Sequence, residues 1–133
     1  MVYPIRILIL IIENYLRLKE WLTDKGYHFV SDTDTEVIAH LVNYYYEGDL
    51  LQAVLSTLRR LEGSYALGVI CRGNPDELVA VRKDSPLVIG LGDGENYIAS
   101  DIPAILAHTR NFLLLEDKEI AVIHKDKVDL YNE

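Results

Sequence analysis

The sequence predicts an α+β fold, helices packed on a mostly antiparallel sheet, from three observations. Before Gly63 the apolar residues recur at helical spacing, and beyond it they fall into short β-rich runs. Those runs are separated by tight turns that carry Gly, Pro, Asn and Asp. Helices first and strands afterwards place the helices against one antiparallel sheet rather than between parallel strands. With 133 residues, 50% hydrophobic and 26% charged, the chain suits one small domain with its own core, without repeats, linkers or low-complexity segments.

Each element has its own signal. Met1 to Ile12 is an apolar run broken only by Arg6, and reads as a buried strand that turns into a sticky edge if its neighbours are absent. From Glu13 to Lys25, Tyr15, Leu18, Trp21 and Leu22 fall on one helical stripe, and Gly26 stops the helix. Tyr27 to Val30 reads as a short strand. Thr33 and Glu36 then have the T-x-x-E spacing of a capping box, which predicts that the Thr33 hydroxyl and the Glu36 carboxylate close the front of the next helix reciprocally. That helix runs to about Tyr46 with Val37, Ile38, Leu41, Val42 and Tyr45 inward, and Gly48 ends it. Asp49 and Gln52 form a second capping pair before a helix whose face is Leu51, Val54, Leu55 and Leu58.

The β half begins with Ser64 to Cys71. A turn is expected at Asn74-Pro75-Asp76 and a strand from Leu78 to Arg82. Leu87–Leu91 and Asn96–Ala99 flank Gly92-Asp93-Gly94-Glu95, a hairpin signal because Asp-Gly tolerates positive φ. Asp101 to Ala107 reads as a short helix with Pro103 in its first turn. Strands at Phe112–Leu115, Glu119–His124 and Val128–Tyr131 follow, joined by charged turns.

Composition excludes several classes. The formal net charge is −8, and no Lys/Arg cluster offers nucleic acid a basic face. The opening apolar run is shorter than the roughly twenty residues that cross a bilayer and lacks a signal-peptidase site, so no membrane partner is expected. The single cysteine, Cys71, rules out an intrachain disulfide, fits a reducing, cytoplasmic setting, and sits in an apolar run as a buried thiol rather than a nucleophile. His28, His40, His108 and His124 have no metal-ligand spacing, so neither a metal nor a cofactor is expected. Gly90-Leu91-Gly92-Asp93-Gly94 resembles a phosphate loop only superficially: Glu95 holds the sixth position and no helix follows. Of Tyr44-Tyr45-Tyr46, Tyr45 reads as core and its neighbours as cover for the helix edge, with a stacking surface as the other reading. Asp34, in the first turn of its helix, is favoured there by the helix dipole and is also placed to accept from a ligand's ammonium group.

Five blocks, in order, resemble the glutaminase domain of glutamine–fructose-6-phosphate aminotransferase, a class II glutamine amidotransferase. They are Ile11-Ile12-Glu13-Asn14-Tyr15, Ser31 to Leu41, Gly63-Ser64-Tyr65-Ala66, Ser85 to Gly92 and Asn96 to Asp101, covering residues 11–133 as the C-terminal part of that domain. The purine-pathway amidotransferases are similar but less so around Ile98-Ala99-Ser100-Asp101. The resemblance implies part of an N-terminal-nucleophile hydrolase fold, an αββα sandwich. It implies L-glutamine as partner, and Asp34 as the residue that binds the glutamine α-amino group. In the family an N-terminal cysteine attacks the side-chain amide, and the released ammonia is used to make glucosamine-6-phosphate.

The chain departs from that pattern at its start. Residues 1–10 are unlike the family; Ile9 and Leu10 stand where the family carries the Asn-Gly of its oxyanion hole, and Met1-Val2 stand in place of a nucleophile. The expectation is a shifted reading frame or an internal start in a longer gene, which would explain both the mismatch of residues 1–10 and the abrupt recovery at Ile11. No residue is therefore assigned a catalytic role, and the expectation is a truncated glutaminase domain, inactive alone, or a non-catalytic binding or structural module derived from it. Seven Ile and Leu residues between Ile5 and Ile12 predict a homo-oligomer built through the N-terminal segment.

Overall fold

The computed structural model describes the backbone of residues 2–132 and the side chains of residues 12–132. The first strand, β1 (Val2–Ile12), leads into three helices, α1 (Tyr15–Asp24), α2 (Asp34–Tyr45) and α3 (Leu50–Leu58). Then come β2 (Gly63–Cys71), β3 (Asn74–Lys83), β4 (Val88–Leu91), β5 (Asn96–Ala99), α4 (Ile102–Leu106), β6 (Phe112–Leu114), β7 (Glu119–Ile123) and β8 (Val128–Asn132). Five strands form one sheet in the order β1-β2-β3-β7-β8, and three form a second in the order β5-β4-β6. All paired strands in both sheets run antiparallel.

Strand alternation splits the large sheet into two unlike faces. Leu67, Val69, Val79, Val81, Ile120 and Val122 point to the helices and share a core with Leu22, Ile38, Leu41 and Leu50. Their neighbours Ala66, Ala80 and Ala121 point the other way, against Ile89 of the smaller sheet and against Leu87 and Leu115, which flank its strands β4 and β6. Small side chains on that face let the second sheet lie close, while branched ones opposite fill the grooves between helices. On the outer side of the small sheet α4 lies over Gly90, where a Cβ would meet Ile105 Cγ2 at 2.9 Å. The layers are therefore helix, sheet, sheet, helix, as the αββα expectation has it.

Capping chemistry explains two of the helix starts. Asp49 accepts from Gln52 N–H at 3.3 Å, and Asp101 accepts from Ala104 N–H at 3.0 Å with Pro103 in the first turn. Gly26 and Gly48, past the ends of α1 and α2, take φ of +97° and +98°.

Two local expectations fail. Tyr27–Val30 is not a strand, because the Val30 and Ser31 amides donate to Glu36 instead of to a neighbouring chain. The β2–β3 turn is Arg72-Gly73, not Asn74–Asp76, with Cys71 paired to Asn74. Pro75 is accommodated because the register slips between Val69 and Cys71, leaving the start of β3 free of a regular ladder. Gly73 is required there, since a Cβ would collide with the Tyr46 hydroxyl, itself donating to Asn74 Oδ1 at 2.7 Å.

Residues 10 and 11 both lie in β1, which pairs with β2 from Val2 opposite Cys71 to Ile12 opposite Gly63, with register shifts between Val2 and Ile5 and between Ile7 and Ile9.

Candidate functional site

The end of β1, the start of α1 and the start of α2 meet at one corner of the large sheet. Two short clamps fix the corner. Glu13 N–H donates to Glu62 O at 2.7 Å, and the Asn14 side chain both donates to Arg60 O (2.7 Å) and accepts from Glu62 N–H (3.1 Å). These bonds tie the β1–α1 junction to the connection between α3 and β2. Across from them, Asp34 Oδ2 accepts the Ile12 backbone N–H at 3.1 Å, so the first turn of α2 is bonded directly to the last residue of β1.

Asp34 is half-buried, and among the described residues nothing donates to its Oδ1. Two residues before it, Asp32 is paired with a lysine of α1. Lys19 Nζ lies 3.1 Å from Asp32 and over the rings of Phe29 and Tyr15, at 5.4 and 5.8 Å from their centroids. The hydrogen bond to Asp32 raises the Lys19 pKa, which keeps the ammonium charged and held there. Asp34 is thus a carboxylate with one oxygen bound to the backbone, the other open, and the positive end of a helix behind it.

The expected capping box does not form. Thr33 is the N-cap residue (φ −88°, ψ 145°), yet its side chain makes no capping bond. Glu36 reaches past it to accept from Val30 N–H (2.9 Å), Ser31 N–H (2.8 Å) and the Ser31 hydroxyl (2.7 Å), with His40 Nε2 at 3.1 Å. Burial raises the Glu36 pKa, but the Ser31, Val30 and His40 bonds overcome it and bring the carboxyl down to about 2. This cluster is the part of the site that reading the sequence missed. Its one advance signal was the i, i+4 spacing of Glu36 and His40.

The other sequence candidates stand apart. Cys71 is buried, 3% exposed, eight residues along β2 from Gly63, the partner of Ile12. At the rise of an extended strand that is about 26 Å from the corner. His108 stacks on Tyr97 (4.7 Å, 17°), His124 lies 3.6 Å from Asp129, and His28 is exposed. Among the described residues no three of His, Cys, Asp and Glu converge as metal ligands. No helix among them is long and apolar enough to cross a membrane. Tyr45 and Tyr46 pack against the helix-side core, and Tyr44 covers Trp21 edge-on at 5.0 Å.

A protein-family profile described as a glutamine amidotransferase domain matches residues 7–107. The glutamine–fructose-6-phosphate aminotransferase [isomerizing] of Caldanaerobacter subterraneus subsp. tengcongensis is 61% identical over 119 residues, 90% of this chain and 20% of that protein. Its namesake from Aquifex aeolicus is 54% identical over 122 residues, 92% of this chain and 21% of that protein. The chain thus spans about a fifth of the length of the curated relatives it matches. Among solved structures, the glutamine phosphoribosylpyrophosphate amidotransferase of B. subtilis, complexed with ADP and GMP, superposes with a TM-score of 0.77 at 26% identity. That match covers 91% of this chain and 27% of the other. The chain belongs to the glutamine amidotransferase domain family, on the N-terminal-nucleophile hydrolase fold.

Proposed function

We propose that this chain carries the α-amino-binding corner of a glutaminase site and that, by itself, it hydrolyses no glutamine. The observation behind the first half is the open Oδ1 of Asp34, held in place by the Ile12 amide at the positive end of α2. Behind the second half stand the residues around it. Cys71 is sealed in the core about 26 Å away, and Ile9 and Leu10 occupy the places of the family's oxyanion-hole Asn-Gly. Loss of one such donor costs about 10²–10³ in rate, and a buried thiol that far away cannot open the covalent route. The family role, glutamine hydrolysis that supplies ammonia for glucosamine-6-phosphate synthesis, therefore needs groups in front of Asp34 that the described residues do not supply. We place the chain in the cytoplasm.

A half-exposed carboxylate pairing with a free ammonium gains about 0–1 kcal/mol. L-Glutamine should accordingly give no thermal shift at millimolar concentration and register only at about 100 mM. The test is an NMR titration of the Ile12 and Asp34 backbone amides. L-Glutamine should move them, while N-acetyl-L-glutamine, which has no ammonium, should not, nor should L-glutamine move them in Asp34→Asn. Equal shifts from both compounds, or none from either, would refute the assignment.

Association is the second part of the reading. β1 is an eleven-residue strand at the edge of the large sheet, bonded on one side only among the described residues, and its sequence is almost wholly apolar. An unpaired edge of that kind pairs readily with another chain. A homodimer or larger oligomer formed through β1 should sediment above the monomer mass, and Ile7→Asp with Ile9→Asp should weaken it. A wild-type chain that stays monomeric across micromolar concentrations contradicts this.

A further inference from the structure

Glu36 makes no hydrogen bond to Asp34 or to Ile12, yet it controls the backbone that leads into Asp34. Its side chain is 12% exposed and takes three donors from residues 30 and 31. The Ser31 hydroxyl, having given its proton to Glu36, is left as an acceptor, with Thr33 Oγ1 at 2.9 Å and Thr33 N–H at 3.4 Å. Thr33 directly precedes Asp34. On the other side of Glu36, His40 is braced by Tyr27 and Phe29, with ring centroids at 5.0 and 4.8 Å. Below it, Val37 and Ile38 are fully buried and anchor α2 to the sheet. The segment Val30–Thr33 thus has no strand partner: the Glu36 carboxylate takes the amides of residues 30 and 31, and the other tether is the exposed ion pair of Asp32 with Lys19. The bond from Ile12 N–H to Asp34 Oδ2 then depends on where that segment places the first turn of α2.

We infer that Glu36 is a positioning residue for the Asp34 anchor: through Ser31 and Thr33 it fixes the backbone from which Asp34 bonds Ile12 and presents Oδ1. The inference rests on the reading of Asp34 as the ammonium-binding carboxylate, but its structural content can be measured without ligand. The alternative is that Glu36 only supports the stability of the whole fold.

Hydrogen exchange of the Ile12 amide separates the two, with the amides of the β3–β7 pairs (Val79, Ala80, Ala121 and Val122) as the reference for global opening. Glu36→Gln keeps the shape but turns one acceptor oxygen into a donor. It should speed exchange at Ile12 about tenfold while leaving the β3–β7 amides within about twofold. Ser31→Ala removes a single exposed hydroxyl, should fold in any case, and should speed Ile12 about threefold with the same reference unchanged. Equal acceleration at Ile12 and in β3–β7, or no change at Ile12 in Ser31→Ala, would overturn the inference. The glutamine-dependent shift of Ile12 should also vanish in both variants. If the wild type shows no such shift, the ammonium reading fails on its own, and the exchange rates still decide the role of Glu36.

Discussion

Replacing Asp34 with Asn and with Ala should have clearly different consequences, because the carboxylate has two separable jobs. Asn keeps an oxygen that can accept the Ile12 N–H but removes the charge from the first turn of α2, a loss of about 0.3–1 kcal/mol. Ala also removes the acceptor. Ile12 is 5% exposed, so its amide is left without water or protein to receive it. Hydrogen bonds to charged groups contribute about 1.5–3 kcal/mol, and Asp34→Ala should cost about 2–3 kcal/mol in all. At roughly 3 °C per kcal/mol for a chain of this size, the Asn variant should melt about 1–3 °C lower and the Ala variant about 6–9 °C lower. Trp21 is the single tryptophan and packs edge-on against Tyr44 of α2 at 5.0 Å, so its emission in a urea titration follows the α1–α2 contact directly. If both variants lose the same small amount, below about 0.5 kcal/mol, the Ile12–Asp34 bond does not hold the corner together and the reasoning fails.

Other perturbations have equally definite outcomes. Glu36 is held at about 2 when folded against an ordinary carboxylate value of 4.5. It therefore contributes stability that is complete above pH 4.5 and is lost as the pH falls through 2; the gap in melting temperature between wild type and Glu36→Gln should be constant from pH 7 to 5 and close steadily below that. A gap that is flat down to pH 2 contradicts the assignment. Asn14→Ala breaks both clamp bonds, to Arg60 O and from Glu62 N–H, and should cost about 1–3 kcal/mol in a urea titration. Ala80→Leu overfills the interface between the sheets, where Ala80 is fully buried in the cluster with Leu87, Ile89 and Leu115, and should destabilise by about 1–3 kcal/mol; a neutral effect would mean the sheets are not packed there.

Much of this architecture was legible from periodicity and punctuation. The α1 stripe ends up with Leu18 and Leu22 buried, the Asp49–Gln52 cap forms, and the Gly92–Glu95 loop joins β4 to β5 with Gly94 at φ +76°. The failures trace to side chains that found partners outside the local pattern. T-x-x-E spacing is permissive, and Glu36 takes its donors from Val30 and Ser31 rather than from Thr33, which removed both the capping box and the strand at Tyr27–Val30. The β2–β3 turn moved because Tyr46, far away in sequence, closes over Gly73. Sheet order was illegible because β7 pairs with β3 although the whole second sheet lies between them in sequence, and no local pattern encodes that. The position of Asp34 marked it as a helix-start residue also placed to accept an ammonium, and the resemblance implied its α-amino role; the bond that orients it comes from Ile12, 22 residues earlier.

The most direct test of the central claim is glutamate release. Purified chain is incubated with L-glutamine, and glutamate is measured against a heat-killed control. In the proposed reading, the corner formed by Ile12, Asp34 and Glu36 offers a carboxylate to an ammonium and no nucleophile, with Cys71 sealed in the core far from it. The prediction is therefore no release above the control at any glutamine concentration. Sustained release that rises with the amount of chain would contradict the account.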